Sequence, residues 1–202
     1  MNKEGILLII SGPSGSGKGT VVSELVKNGD FCLSISATTR NPRDYEENGV
    51  HYFFHTKQEF ENMIDKGELL EWANFCDNYY GTPKEYVEKC LKEGKNVILE
   101  IEVQGALQVK KLMPESVLVF LTAPNITELR KRLNGRGTEA PEVIEKRVSR
   151  AMEEMELVTE YDYVIINDTV EKAESAIKAI VSAEGMKTSR NRDINKVFKG
   201  EI

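Results

Sequence analysis

Nine consecutive residues near the N-terminus constrain this chain more than any other stretch: Gly12-Pro13-Ser14-Gly15-Ser16-Gly17-Lys18-Gly19-Thr20. The apolar run Ile6 to Ile10 precedes them and reads as a buried parallel strand. Val21, Val22, Leu25 and Val26 follow at the spacing of one helix face. Strand, glycine-rich turn and helix in that order are the context of a phosphate-binding P-loop. Gly12, Gly15 and Gly17 let backbone N–H groups converge on an anion, and the positive end of the helix dipole adds to the attraction. Lys18 then sets a cation against the terminal phosphates of a nucleoside triphosphate. The residue after the lysine, usually Ser or Thr, is Gly19, and the hydroxyl comes one place later at Thr20. A magnesium ion is therefore held either by Thr20 or mostly through water. A plain Gly/Ser turn with a surface lysine is the alternative, and the complete spacing with both flanks argues against it.

With 202 residues, 40% apolar and 30% charged, the chain suits one soluble compact domain with room for inserted subdomains. No apolar run approaches the length of a membrane span. The first strand begins too soon after Met1 to leave room for a signal peptide. Cys32, Cys76 and Cys90 are odd in number and lack metal-ligand spacing, which fits small apolar filler in a reducing cytoplasm. A net charge of −6 argues against a general nucleic-acid binder while leaving an anionic small substrate open.

Along the chain, Phe31 to Ser36 alternates like a strand and runs into Ala37 to Arg43, which Pro42 marks as irregular and exposed. Asn48-Gly49 before Val50 to Phe54 reads as a hairpin-like signal. Thr56 caps a short helix to Lys66, and two aromatic-rich strands follow at Leu69–Phe75 and Asn78–Thr82. From Pro83 the pattern alternates again: helix to Glu93, strand 96–101, helix 105–113, strand 116–121. An amphipathic helix follows at 125–133, with Ile126, Leu129 and Leu133 on one face. Asn134-Gly135-Arg136-Gly137 reads as a linker. A longer helix from Pro141 then turns Ile144, Val148, Ala151, Met152 and Met155 inward. A strand at 163–166 and a helix at 170–183 complete the core, and 189–202 reads as a frayed polar end. Alternating strands and helices predict an α/β fold with a parallel central sheet and ligands at the strands' C-terminal ends.

Three further motifs join the P-loop: Ser36-Ala37-Thr38-Thr39-Arg40-Asn41-Pro42-Arg43, Glu71-Trp72-Ala73 and Asn78-Tyr79-Tyr80-Gly81-Thr82. With Gln104-Gly105 and Gly135-Arg136-Gly137-Thr138, they make the whole chain resemble the guanylate kinases, which transfer the γ-phosphoryl of ATP to GMP. The resemblance implies a P-loop NTPase three-layer fold with core segments 1–34, 83–125 and 156–202. It also implies a β-rich GMP-binding insertion at 35–82 and a small helical lid at 126–155. ATP and GMP, with dGMP beside it, are the implied substrates, Mg²⁺ the implied metal, and neither nucleic acid nor membrane a partner.

The resemblance also assigns roles. Arg40, Arg43, Tyr52 and Tyr80 become ligands of the monophosphate, a dianion suited to planar arginine forks and phenolic donors. By spacing alone the arginines fit a solvated loop equally well, and the tyrosines fit half-buried strand positions. Glu71 matches the carboxylate that reads guanine N1–H and N2–H. Ser36 and Thr82, beside Gly81, match hydroxyls that reach O6. Glu100 and Glu102 end a strand beside the site, where the family often has aspartate; they orient Mg²⁺-bound water or contact the guanine site. Lys18, Arg132, Arg136 and Arg147 match the catalytic cations around the transferring phosphoryl. His51 and His55 read as structural. Two rivals remain at this point: a kinase for another nucleoside monophosphate, and a protein-binding module that has kept the fold without the reaction.

Overall fold

The computed structural model describes residues 4–27, 29–75, 77–135 and 140–201. The chain runs β1 (Leu7–Ser11), α1 (Lys18–Lys27), β2 (Cys32–Leu33), β3 (Ala37–Thr38), β4 (Phe53–Phe54), α2 (Lys57–Asp65), β5 (Leu69–Phe75) and β6 (Asn78–Pro83). It continues through α3 (Lys84–Lys92), β7 (Val97–Glu100), α4 (Val103–Leu112), β8 (Val117–Thr122), α5 (Ile126–Asn134) and α6 (Pro141–Met155). It closes with β9 (Tyr163–Ile166), α7 (Val170–Met186) and α8 (Ile194–Phe198).

Five strands form a parallel sheet in the order β2-β7-β1-β8-β9. All five residues of β1 are buried, as a strand covered on both faces requires. Its side chains alternate between two cores. Leu8 and Ile10 pack with Val21, Leu25 and Ile177 from α1 and α7. Leu7 and Ile9 pack with Val87, Ala106 and Val109 from α3 and α4. After β7, on one side of β1, the chain crosses to β8 on the other. Connections therefore diverge at the C-terminal ends of β1 and β7, where open α/β sheets open a ligand crevice. A separate core of Leu129, Leu133, Ile144, Val148 and Ala151 joins α5 to α6.

The second sheet, β4-β3-β6-β5, is mixed. Leu69–Phe75 and Asn78–Pro83 pair antiparallel, matching the two strands read from sequence. Thr56 caps α2 through a reciprocal box: its side chain accepts from Glu59 N–H, and the Glu59 carboxylate accepts from Thr56 N–H at 2.7 Å.

Four local expectations change. The Asn48-Gly49 turn exists, with Gly49 at φ 77° donating to Tyr52 O at 2.8 Å, but it does not produce a hairpin. Phe53–Phe54 pairs in parallel with Ala37–Thr38 instead. Side chains organise the preceding loop, through Glu46 on Arg40, His51 Nδ1 on Glu47 N–H and Asn48 Oδ1 on Phe54 N–H. The strand read at 31–36 splits: Cys32–Leu33 pairs with β7, and the chain then crosses to the second sheet at Ala37, which is buried with Thr38. On α6 the apolar stripe stops at Ala151. Met152 and Met155 are exposed, as is Ile126 on α5, because these residues border an open groove beside β9. The C-terminal end carries the short α8, preceded by an anchor in which Asn191 Nδ2 donates to Gly185 O and Lys187 O. Cys32 and Cys90 are free thiols; Cys76 lies outside the described residues.

Candidate active site

The P-loop closes on itself at the C-terminal end of β1. Gly12, Gly15 and Gly17 take φ values of 136°, 86° and 93°. At Gly17 the requirement is double. Its φ is one that side chains rarely tolerate, and an added Cβ would lie 2.4 Å from Asn167 Nδ2. That same amide nitrogen donates to Ser16 O at 2.8 Å. Arg132 reinforces the grip, with Nη2 donating to Asn167 O at 3.0 Å and Nη1 to Ser16 O at 3.4 Å. Glu128 orients it by accepting from Nε at 2.9 Å. Asn167, buried at the end of β9, thus pins the loop from behind.

Lys18 opens α1 and folds over the loop, donating to Gly12 O and, at 3.1 Å, to Pro13 O. Arg147 on α6 reaches across to donate to Ser14 Oγ at 3.1 Å. A cavity of about 770 Å³ opens in front, lined by Gly12, Ser14, Gly15 and residues 17–20 of the loop and by Glu100, Glu102, Arg147, Arg150 and Glu154. Glu100 is solvent-exposed at the end of β7, yet desolvation by the surrounding cleft raises its carboxyl, and the nearby Lys18 ammonium opposes that shift.

A second cavity of about 690 Å³ lies beside the first, between the second sheet and α4. Its walls include Ser36, Tyr52, Glu71, Trp72, Tyr80 and Gly105. Glu71 is 9% exposed and accepts from Thr82 Oγ1 at 2.6 Å. Burial raises its carboxyl, and the Thr82 bond opposes the rise. Because Thr82 donates its one hydroxyl proton to Glu71, in this arrangement it offers only lone pairs elsewhere. An O6-type acceptor therefore needs another donor, such as Ser36 in the same wall. Gly105, in the first turn of α4, makes room for Glu71: a Cβ there would lie 3.0 Å from Glu71 Oε2.

Arg40 and Arg43 stand outside this cavity's walls. Arg40 is held in a fork by Glu46, at 2.9 and 2.8 Å, and lies over the Tyr52 ring at 5.4 Å. That bidentate bond, with the Arg43 N–H at 2.8 Å, holds the Glu46 carboxyl down at about 2. Arg43 is exposed, and its Nη1 donates to Tyr45 at 2.8 Å. Arg136 lies outside the described residues.

The two cavities share Glu100, Ile101, Glu102 and Arg150 as a common wall at the end of β7. Reading the sequence missed Glu46, Asn167 and Arg150. Arg150 carried a usable signal, since it follows Arg147 by three positions on one helix face. Asn167 and Glu46 carried none, because their partners are 151 and 6 residues away in irregular chain.

Comparison with known proteins identifies the family. The family model described as guanylate kinase matches residues 4–184. A guanylate kinase of Bacillus cereus is 55% identical over 191 residues, covering 94% of this chain and 93% of that one. One from Clostridioides difficile is 51% identical over 202 residues, covering 99% and 98%. The crystal structure of guanylate kinase from Anaplasma phagocytophilum superposes with a TM-score of 0.74 at 32% identity, covering 96% of this chain and 95% of that one. On a P-loop, a buried carboxylate pocket beside it and matches along nearly the full length, the chain belongs to the guanylate kinase family.

Proposed function

We propose that this protein transfers the γ-phosphoryl group of ATP to GMP, giving ADP and GDP, and that it takes dGMP by the same route. The observation that carries the reading is the common wall: two cavities of about 770 and 690 Å³ abut at Glu100, Ile101, Glu102 and Arg150. A donor triphosphate in the first and an acceptor monophosphate in the second bring their phosphates together there. In this reading the loop N–H groups and Lys18 hold the triphosphate, while Arg132 and Arg147 stiffen and close the loop. Glu71 accepts the two adjacent donors of guanine, and adenine, lacking N1–H, leaves that buried carboxylate unpaired. Tyr52 and Tyr80 face the acceptor phosphate. Arg40 and Arg43 join it by a movement of the 40–54 loop that exchanges Glu46 and Tyr45 for phosphate oxygens.

Mg²⁺ suits the donor set that lines the first cavity, where Thr20, Glu100 and Glu102 offer hard oxygens. Thr20, directly or through water, and the two glutamates would be the residues to hold it; among the described residues no three His, Cys, Asp or Glu side chains gather as a cage for the ion. When bound, it neutralises phosphate charge. Segments 126–155 act as the lid, 35–82 as the acceptor insertion, and 1–34, 83–125 and 156–202 as the core. No helix among the described residues is long and apolar enough to cross a membrane, which fits a soluble enzyme of the cytoplasm.

The test is ADP release in a coupled assay with ATP and Mg²⁺ against GMP, dGMP, AMP, CMP and UMP. Selective turnover of the guanine nucleotides is expected. Preference for another base would overturn the reading of Glu71, and binding of GMP without turnover would favour a protein-binding module.

A further inference from the structure

Arg150 belongs to neither the P-loop nor the acceptor motifs, yet it lines both cavities. It projects from α6 on the face that carries Arg147, one turn earlier. The two arginines reach different parts of the cleft. Arg147 touches Ser14 of the donor loop, whereas Arg150 Nη2 donates to Glu102 Oε2 at 2.7 Å, just past β7. Its Nε donates to Glu154 Oε1 at 3.1 Å on its own helix.

The contact with Glu102 does little for the fold. The Arg150 side chain is 58% exposed and that of Glu102 75% exposed, and ion pairs so open to water contribute little to stability. Both contacts do hold a guanidinium at the common wall. The two bonds engage two of its five N–H groups, so donors remain to face phosphate oxygens in the cleft. A phosphate dianion competes well for such a fork against an exposed carboxylate.

We propose that Arg150 is a catalytic residue of the transfer step, which leaves Glu102 and Glu154 to bind the phosphoryl group while it passes between the two nucleotides. Glu102 and Glu154 are then positioning residues that keep the fork at the wall when phosphates are absent. The inference rests on the phosphotransfer reading of the two cavities and adds a residue to it. Because Arg150 acts where the phosphates meet, its contribution appears when both cavities are filled by one continuous phosphate chain.

The experiment compares wild type, R150Q, R150K and E102Q in turnover and in three binding titrations. The ligands are GMP alone, ATP alone, and an adenosine–guanosine pentaphosphate that spans both cavities. Trp72, the one tryptophan of the chain, lines the acceptor cavity and reports GMP and the spanning ligand; calorimetry reports ATP. R150Q is expected to lower kcat by about 10- to 100-fold and to weaken the spanning ligand by a similar factor. Affinity for GMP or ATP alone should change less than about threefold, and R150K should recover part of the loss. E102Q should change kcat by less than R150Q does. Unchanged kcat and unchanged spanning-ligand affinity in R150Q would overturn the inference, as would an equal loss for all three ligands. If wild type fails to phosphorylate GMP, the transfer reading falls, and the contrast between spanning and single ligands still decides where Arg150 acts.

Discussion

The two cavities of this protein are built in opposite ways. The first cavity, read as the donor side, draws on one run, Gly12 to Thr20, whose main chain is proposed to bind the phosphates and whose conformation follows from glycines at positive φ. The second cavity, read as the acceptor side, is made from side chains scattered from Ser36 to Arg150, on strands of two to seven residues, the first turns of α4 and α6. Backbone donors are common to every residue, so the donor site depends on shape. Side-chain acceptors are individual, so the acceptor site depends on identity. The first should recognise a phosphate chain and the second a particular base.

Variants that separate the two sites sharpen this contrast. The largest effect is expected from Lys18→Ala, which should lower kcat by about 10³-fold with the fold intact, checked by turnover and circular dichroism. Wild-type-like turnover would remove Lys18 from the mechanism. Gly17→Ala should damage the donor side by shape alone. The methyl group meets Asn167 Nδ2 at 2.4 Å and the residue sits at φ 93°, a strain of about 1–3 kcal/mol. Calorimetry should then show ATP binding lost while Trp72 still reports GMP.

Glu71→Gln tests identity on the acceptor side. Losing a charged acceptor should lower kcat/KM for GMP by about 10²-fold with ATP affinity unchanged. It should also remove a pH dependence. Burial raises the Glu71 carboxyl above the ordinary carboxylate value, and bound guanine favours the anion. Wild-type GMP affinity should therefore fall on acidification through two groups, the GMP phosphate itself and Glu71, and the variant should keep only the fall that belongs to the phosphate. A smaller effect is expected from Gly105→Ala, whose Cβ would press on Glu71 Oε2 at 3.0 Å: about a tenfold rise in KM for GMP, with that for ATP unmoved.

The same contrast explains what the sequence disclosed. A contiguous backbone site leaves a contiguous motif, so the P-loop, its flanking strand and helix, and Lys18 were legible from spacing and chemistry. The central sheet was legible because parallel strands buried on both faces are long apolar runs, as in Ile6 to Ile10. The acceptor side was legible only through resemblance to a family, since no local rule links Glu71 to Thr82 and Gly105. The misread stretches share a cause. β2, β3 and β4 are two residues long, too short for a period-two signal, and the loop that joins β3 to β4 is folded by Glu46, Asn48 and His51. On α6, Met152 and Met155 continue an apolar spacing past the last packed turn, so hydrophobicity overstated burial.

The central claim is that the two cavities meet, so that phosphate passes from donor to acceptor in a single displacement. The stereochemical course at the transferred phosphorus tests this most directly, using ATP made chiral at a γ-thiophosphate and GMP as acceptor. One in-line transfer across the common wall predicts inversion of configuration. Retention would mean that the group stops on the protein in between, and would contradict the account.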